Sequence, residues 1–150
     1  MQAVRDSGTR PETIRLEITE SVTFQDADRA AGNLQRLRDF GVRVSIDDFG
    51  TGYSSLSYLH QLPFDTLKID RSFVSALQQR PEGREIIQTI LDMAKNLHMD
   101  VVAEGAETEA HVDQLRQMGC GYAQGYYFSR PLDQAAATML LERWKSHRRQ

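Results

Sequence analysis

Val42-Arg43-Val44-Ser45-Ile46-Asp47-Asp48-Phe49-Gly50-Thr51-Gly52 is the stretch on which the reading of the fold turns. Val42, Val44 and Ile46 alternate with polar residues, the period of a strand with one buried face. The alternation then gives way to two acids and two glycines, a loop composition at a strand end. Just upstream, Ala30, Leu34, Leu37 and Phe40 recur at helical spacing, in a helix opened by Asp26 and stopped by Gly41. Residues 14–18 read as an earlier strand. Downstream, a short helix spans residues 54–62, capped by Ser54 or Ser55 and ended before Pro63. A strand follows at 66–69. Residues 84–97 form the clearest helix, with Ile86, Ile87, Ile90, Leu91, Ala94 and Leu97 on one broad inward face. Then come a strand at 99–103, a helix at 108–118 stopped by Gly119, and a weak strand at Tyr122 and Ala123. The last helix starts at Pro131 or Leu132 and reaches Trp144.

Strands alternating with helices imply a parallel sheet with helical crossovers. Two architectures fit that pattern. One is an open, doubly wound sheet. The other is a piece of an eight-fold βα barrel, which needs about 250 residues when complete. The 150 residues make one domain, with no internal boundary and no low-complexity segment. Eighteen basic against 21 acidic residues give a net charge of −3, which excludes the basic excess of a duplex-binding protein. A single cysteine, Cys120, excludes a disulfide framework and a cysteine-rich zinc site. No apolar run approaches the ~20 residues that span a bilayer, and no signal-peptide core opens the chain. These features suit a cytoplasmic chain.

In either architecture the ligand site lies at the carboxyl ends of the strands. Acidic residues fall there repeatedly: Glu17 and Glu20 after the first strand, Asp47 and Asp48 after the second, Asp70 beside Lys68 after the third, Glu104 and Glu107 after the fourth. Gln124 ends the fifth. Any one of these acids could be a helix cap or a turn residue, and Glu20 and Glu107 fit that bland role well. Four consecutive strands ending in an acid favour a site. Converging carboxylates repel unless neutralised, and Lys68 alone cannot balance them. An oxygen-only donor set favours Mg²⁺ or Mn²⁺, or Ca²⁺, over zinc. Two such ions are the usual device for phosphodiester hydrolysis. Lys68 would then orient or deprotonate the attacking water, or contact the phosphate. The four histidines match no metal spacing. Tyr122, Tyr126, Tyr127 and Phe128 form an aromatic cluster suited to packing or to stacking on a purine.

Leu16-Glu17-Ile18-Thr19-Glu20-Ser21, the run from Asp47 to Leu56, Leu67-Lys68-Ile69-Asp70-Arg71-Ser72-Phe73, Ala103-Glu104-Gly105-Ala106-Glu107 and Gln124-Gly125-Tyr126-Tyr127-Phe128 together resemble the EAL-domain family of bacterial cyclic di-GMP phosphodiesterases. The likeness runs in order over about residues 13–132. It implies a (βα)8 TIM-type barrel, of which this chain supplies about five units, strands four to eight. Residues 1–150 would be the C-terminal part of one EAL domain, its first three βα units lying outside the chain. By the same resemblance, Glu17 and Asp47 are metal ligands and Asp48 a ligand of a second metal. Lys68 activates the water and Glu104 holds a metal-bound water. Glu20 anchors the loop after Asp48, which serves dimerisation. Asp70 and Glu107 support the site, with Gln124 and Tyr126 at its rim. The implied substrate is cyclic di-GMP, cleaved to linear pGpG with Mg²⁺ or Mn²⁺.

Two departures qualify the resemblance. No Glu-Ala-Leu segment occurs in the 150 residues, so that strand and the following one, each bearing a ligand, have no counterpart. Ala106 stands where the family usually has Val. The expectation is therefore an impaired isolated chain, with self-association through the loop after Asp48 or an exposed strand edge. The rival reading is a non-catalytic cyclic di-GMP-binding or dimerisation module. A phosphoacceptor receiver domain fails on order, because Lys68 follows the Asp pair by one strand.

Overall fold

A computed structural model of the chain describes residues 1–19, 27–51 and 56–147. Five parallel strands form its sheet: β1 (Arg15–Thr19), β2 (Arg43–Phe49), β3 (Thr66–Ile69), β4 (Asp100–Glu104) and β5 (Tyr122–Gln124). Their spatial order is the chain order, β1-β2-β3-β4-β5. A doubly wound sheet must reverse direction at a switch point. This one never does. Each strand pairs with the next in the chain, which is how a barrel wall grows. The chain is a five-strand arc of a barrel.

The helices are α1 (Gln2–Ser7), α2 (Ala27–Asp39), α3 (Leu56–Gln61), α4 (Arg71–Ala76), α5 (Pro81–Asn96), α6 (Glu109–Gln117) and α7 (Gln134–His147), with a 3-10 turn at Pro11–Thr13. The sheet's two faces differ sharply. Val44, Ile46, Leu67, Ile69, Val101 and Ala103 share the outer face and are buried. Against them pack Leu34 of α2, Ile87, Ile90, Leu91 and Ala94 of α5, and Leu115 of α6. The inner, concave face carries the polar residues described below. Gly41 ends α2 as expected. At φ +98 its N–H reaches the Arg38 carbonyl (2.8 Å), and the Val42 N–H reaches Leu37 (3.0 Å), closing the helix and aiming the chain into β2.

Several expected boundaries shift. β2 does not stop at Ile46 but runs through both aspartates to Phe49. The first strand starts at Arg15 and the last helix at Gln134. α1, the 3-10 turn and α4 were not legible, each being too short to show a period; α1 and the 3-10 turn bury no residue. Ile86, placed inward by the helical pattern, is 42% exposed, because the true face of α5 centres on Ile87, Ile90, Leu91 and Ala94. Asp26, Ser54 and Ser55, offered as helix starts, lie outside the described residues. Cys120 is partly buried. Burial pushes its thiol pKa up, and its Sγ donates to the Tyr122 carbonyl (3.2 Å). Among the described residues, no helix is long and apolar enough to cross a membrane.

Candidate functional site

Register determines which side chains meet. In a parallel ladder, paired residues point to the same face, and the pattern repeats every second residue. Glu17 pairs with Ser45, Ser45 with Thr66, Lys68 with Val102, and Glu104 with Gln124. Glu17, Ser45, Asp47, Thr66, Lys68, Glu104 and Gln124 therefore share the concave face. Ser45 and Thr66 lie one step below the acids, fully buried, with neither hydroxyl hydrogen-bonded among the described residues.

Lys68 stands at the centre. Its Nζ lies 2.8 Å from Glu17 Oε2, 2.9 Å from Asp47 Oδ1 and 2.8 Å from Glu104 Oε1. An ammonium has three N–H donors, and three carboxylates from three strands take all of them. Burial would lower the Lys68 pKa. The hydrogen bonds to Glu104, Glu17 and Asp47 outweigh it and hold the amine above the ordinary lysine range. In this arrangement Lys68 is an ammonium whose three donors all face carboxylates.

Asp48 reaches the same site by a different route. In an unbroken strand its side chain would point away from that of Asp47. Between Ile46 and Phe49, however, β2 advances three residues while β3 advances two, from Leu67 to Ile69. That is a bulge. Asp48 is its extra residue, with φ +54, a left-handed conformation that a short polar side chain tolerates. The bulge returns Phe49 to the buried face and turns Asp48 back toward its neighbour. Ligand oxygens of Asp47, Asp48 and Glu104 lie within 4.8 Å of one another. The sequence signal was an Asp pair between apolar residues, and its composition read as a loop.

This donor set fits a hard divalent cation. It is all oxygen, three donors converge from two strands, and a lysine ammonium is drawn to the same place. Four carboxylates, Glu17, Asp47, Asp48 and Glu104, face one ammonium, so the basin retains an excess of negative charge.

The other expected residues stand apart from this cluster. Asp70 is the N-cap of α4, accepting from the Ser72 amide (2.9 Å) and from the Ser72 hydroxyl. Burial would raise its pKa; the Ser72 hydrogen bonds outweigh it and hold the carboxyl below the ordinary aspartate range. Glu107 lies just before α6, and its amide donates to Nδ1 of the buried His111 (3.3 Å), while Thr108 supplies the cap. Gln124 pairs with Glu104 at the rim. Tyr126 is exposed, with the Arg130 guanidinium 5.1 Å from its ring centroid. Glu20 lies outside the described residues.

A sequence model described as the EAL domain matches residues 1–131. The cyclic di-GMP phosphodiesterase NbdA of Pseudomonas aeruginosa is 46% identical over 143 residues, which cover 95% of this chain and 18% of that protein. The structure of the PaMucR phosphodiesterase in complex with c-di-GMP superposes with a TM-score of 0.87 at 40% identity, over 91% of this chain and 55% of that one. BlrP1 of Klebsiella pneumoniae, solved with manganese and cyclic di-GMP, superposes at 0.80 and 33% identity, over 87% of this chain and 33% of that one. The chain thus spans under a fifth of its curated relative and about half of a solved phosphodiesterase. With the monotonic parallel sheet, a family match over most of its length and close structural likeness to EAL proteins, this chain belongs to the EAL domain family and is part of its TIM-type barrel.

Proposed function

We propose that residues 1–150 are the C-terminal part of an EAL catalytic domain whose complete form hydrolyses cyclic di-GMP to pGpG. The observation that carries this reading is the convergence of Asp47, Asp48 and Glu104 beside Lys68 at one strand-end rim. Glu17, Asp47, Asp48 and Glu104 would hold Mg²⁺ or Mn²⁺. Bound there, a divalent cation lowers the pKa of water and offsets charge on the phosphate. Lys68 would orient or activate the attacking water, or contact a phosphate oxygen, where a bound cation takes over one or more of its carboxylate partners. Gln124 and Tyr126 offer rim contacts to a guanine or ribose. Glu20 anchors the loop after Asp48. Asp70 and Glu107 act at a remove, one capping α4 and one preceding α6. The domain works in the cytoplasm.

By itself the chain lacks a Glu-Ala-Leu strand and should bind the cation weakly and turn over negligibly. It should also self-associate, through the open edge of β1 or the loop after Asp48. Exchanging the chain for the matching 143 residues of NbdA tests the reading. The chimera should hydrolyse cyclic di-GMP with Mn²⁺, and Lys68→Ala or Asp48→Asn within it should nearly abolish hydrolysis. A chimera that binds the dinucleotide without cleaving it would support the binding-module reading instead.

A further inference from the structure

The bulge leaves Asp48 in a conformation that something must hold. On one side its amide donates to Asp47 Oδ1 (3.1 Å). On the other, its carbonyl accepts from both the Thr51 amide (3.3 Å) and the Thr51 hydroxyl (2.9 Å), closing a tight turn over 48–51. Gly50 is the third residue of that turn, at φ +93. It rests on a phenyl ring: a Cβ added to Gly50 would lie 2.9 Å from Phe73 Cε2 and 3.0 Å from Cζ. Phe73 belongs to α4 and packs against the hydrophobic core. Its own place is set by the cap, since its amide donates to the Asp70 carbonyl (3.1 Å) while the Asp70 side chain holds Ser72.

We propose that Phe73 is a positioning residue for the carboxylate cluster. Its ring is the floor on which Gly50 sits, and through the turn it fixes Asp48 beside Asp47 and Glu104. The route explains why Asp70, which stands away from the carboxylate cluster, belongs to the same functional unit. Asp70 caps α4, α4 delivers the ring, and the ring seats the turn that aims a ligand. Glycine is required at position 50 both by its φ and by the ring beneath it.

The proposal rests on the reading of Asp47, Asp48 and Glu104 as cation ligands, so its test has one arm that needs no metal. In the metal-free chain, amide exchange at Thr51 reports the turn directly. Phe73→Ala should speed it by about tenfold or more relative to the strand amides, as expected when a local restraint and not the global fold is lost. Val74→Ala, a fully buried neighbour on the same helix, should leave it in step with global stability. In the second arm, Mn²⁺ titration followed by the loss of the free-ion resonance signal should show about tenfold weaker binding for Phe73→Ala. Phe73→Leu, which keeps most of the packing and so carries both readouts even if Phe73→Ala unfolds, should show a smaller loss in each. Gly50→Ala should weaken binding by a comparable factor, and the two losses should not add in Phe73→Ala/Gly50→Ala. Unchanged Thr51 exchange in Phe73→Ala and in Phe73→Leu overturns the role of Phe73. So does an equal loss of Mn²⁺ affinity in Val74→Ala. Failure of the unmodified chain to bind Mn²⁺ overturns the cation reading alone.

Discussion

The middle of the sheet and its edges are built from similar strands and behave differently. β3 is buried along its whole length, and β2 at four of its seven residues. β1, at one edge, is exposed at every residue but Ile18. β5, at the other, is exposed at both ends. The same gradient runs through the candidate site. The side chains of Asp47 and Glu104 are about a fifth exposed (21% and 20%), whereas Glu17 on the edge strand is 47% exposed. All three contact Lys68 at nearly equal distances. The lesson is that distance does not rank these contacts; the strand beneath each carboxylate does, because screening by water follows position in the sheet.

The sharpest way to break that comparison lies in the hydrophobic layer. Leu67→Ala, in the middle of the sheet with no exposed surface, should cost about 2–5 kcal/mol. Leu16→Ala on the edge, already 38% exposed, should cost less, about 1–2 kcal/mol in the same denaturant titration, because over a third of the burial term is missing. Equal losses would show that β1 is covered in solution.

The polar face should repeat the gradient. Lys68→Met strands three carboxylates and should cost about 2–3 kcal/mol, below the range for a wholly buried pair because its partners are partly wet. Glu17→Gln should cost under about 1 kcal/mol. pH sharpens the contrast. The Lys68 pKa is raised on folding, so its contribution is complete below the unfolded lysine value of about 10.4 and is lost as pH climbs through the folded value. Melting curves carried above about pH 10 should fall more steeply for the unmodified chain than for Lys68→Met.

A smaller effect belongs to Asp70. Removing this cap with Asp70→Ala should cost about 1 kcal/mol. Its pKa is depressed on folding. The stabilisation is therefore present above the unfolded aspartate value of about 3.9 and lost as pH falls through the folded one, so the variant should flatten the acid limb of a stability profile. The effect of Leu16→Lys on folding energy should not exceed that of Leu16→Ala, because the long lysine stem covers part of the same surface. Its distinguishing effect should appear in mass. A charge on the free edge of β1 opposes strand-to-strand pairing, and light scattering after size-exclusion chromatography should shift from dimer or larger species toward monomer. A monomeric unmodified chain would remove the edge as an association surface.

How far the sequence disclosed this structure depended on which signals have a period. β3 was read to the residue, because Leu67 and Ile69 alternate with polar residues between Pro63 on one side and the strand-end acid Asp70 on the other. The convergence of Glu17, Asp47, Lys68 and Glu104 followed from a single rule, that parallel strands present their carboxyl ends together. What escaped was aperiodic. The bulge hid because Asp47-Asp48 has the composition of a loop, and only the pairing of Phe49 with Ile69 reveals that the strand continues. α4 hid because it has six residues, and its cap, Asp70, resembled a site acid. The seat of Gly50 on Phe73 joins residues 23 positions apart and leaves no local trace.

The bulge also separates what the fold needs from what the chemistry needs. Across the ladder, Leu67 and Ile69 stand two residues apart, the ordinary spacing of side chains on one face. Without Asp48, Ile46 and Phe49 would have that same spacing, and the buried layer would close with no irregularity. In architectural terms Asp48 is a supernumerary residue. The core would be complete without it, and the strand would then present one acid at its tip where it now presents two.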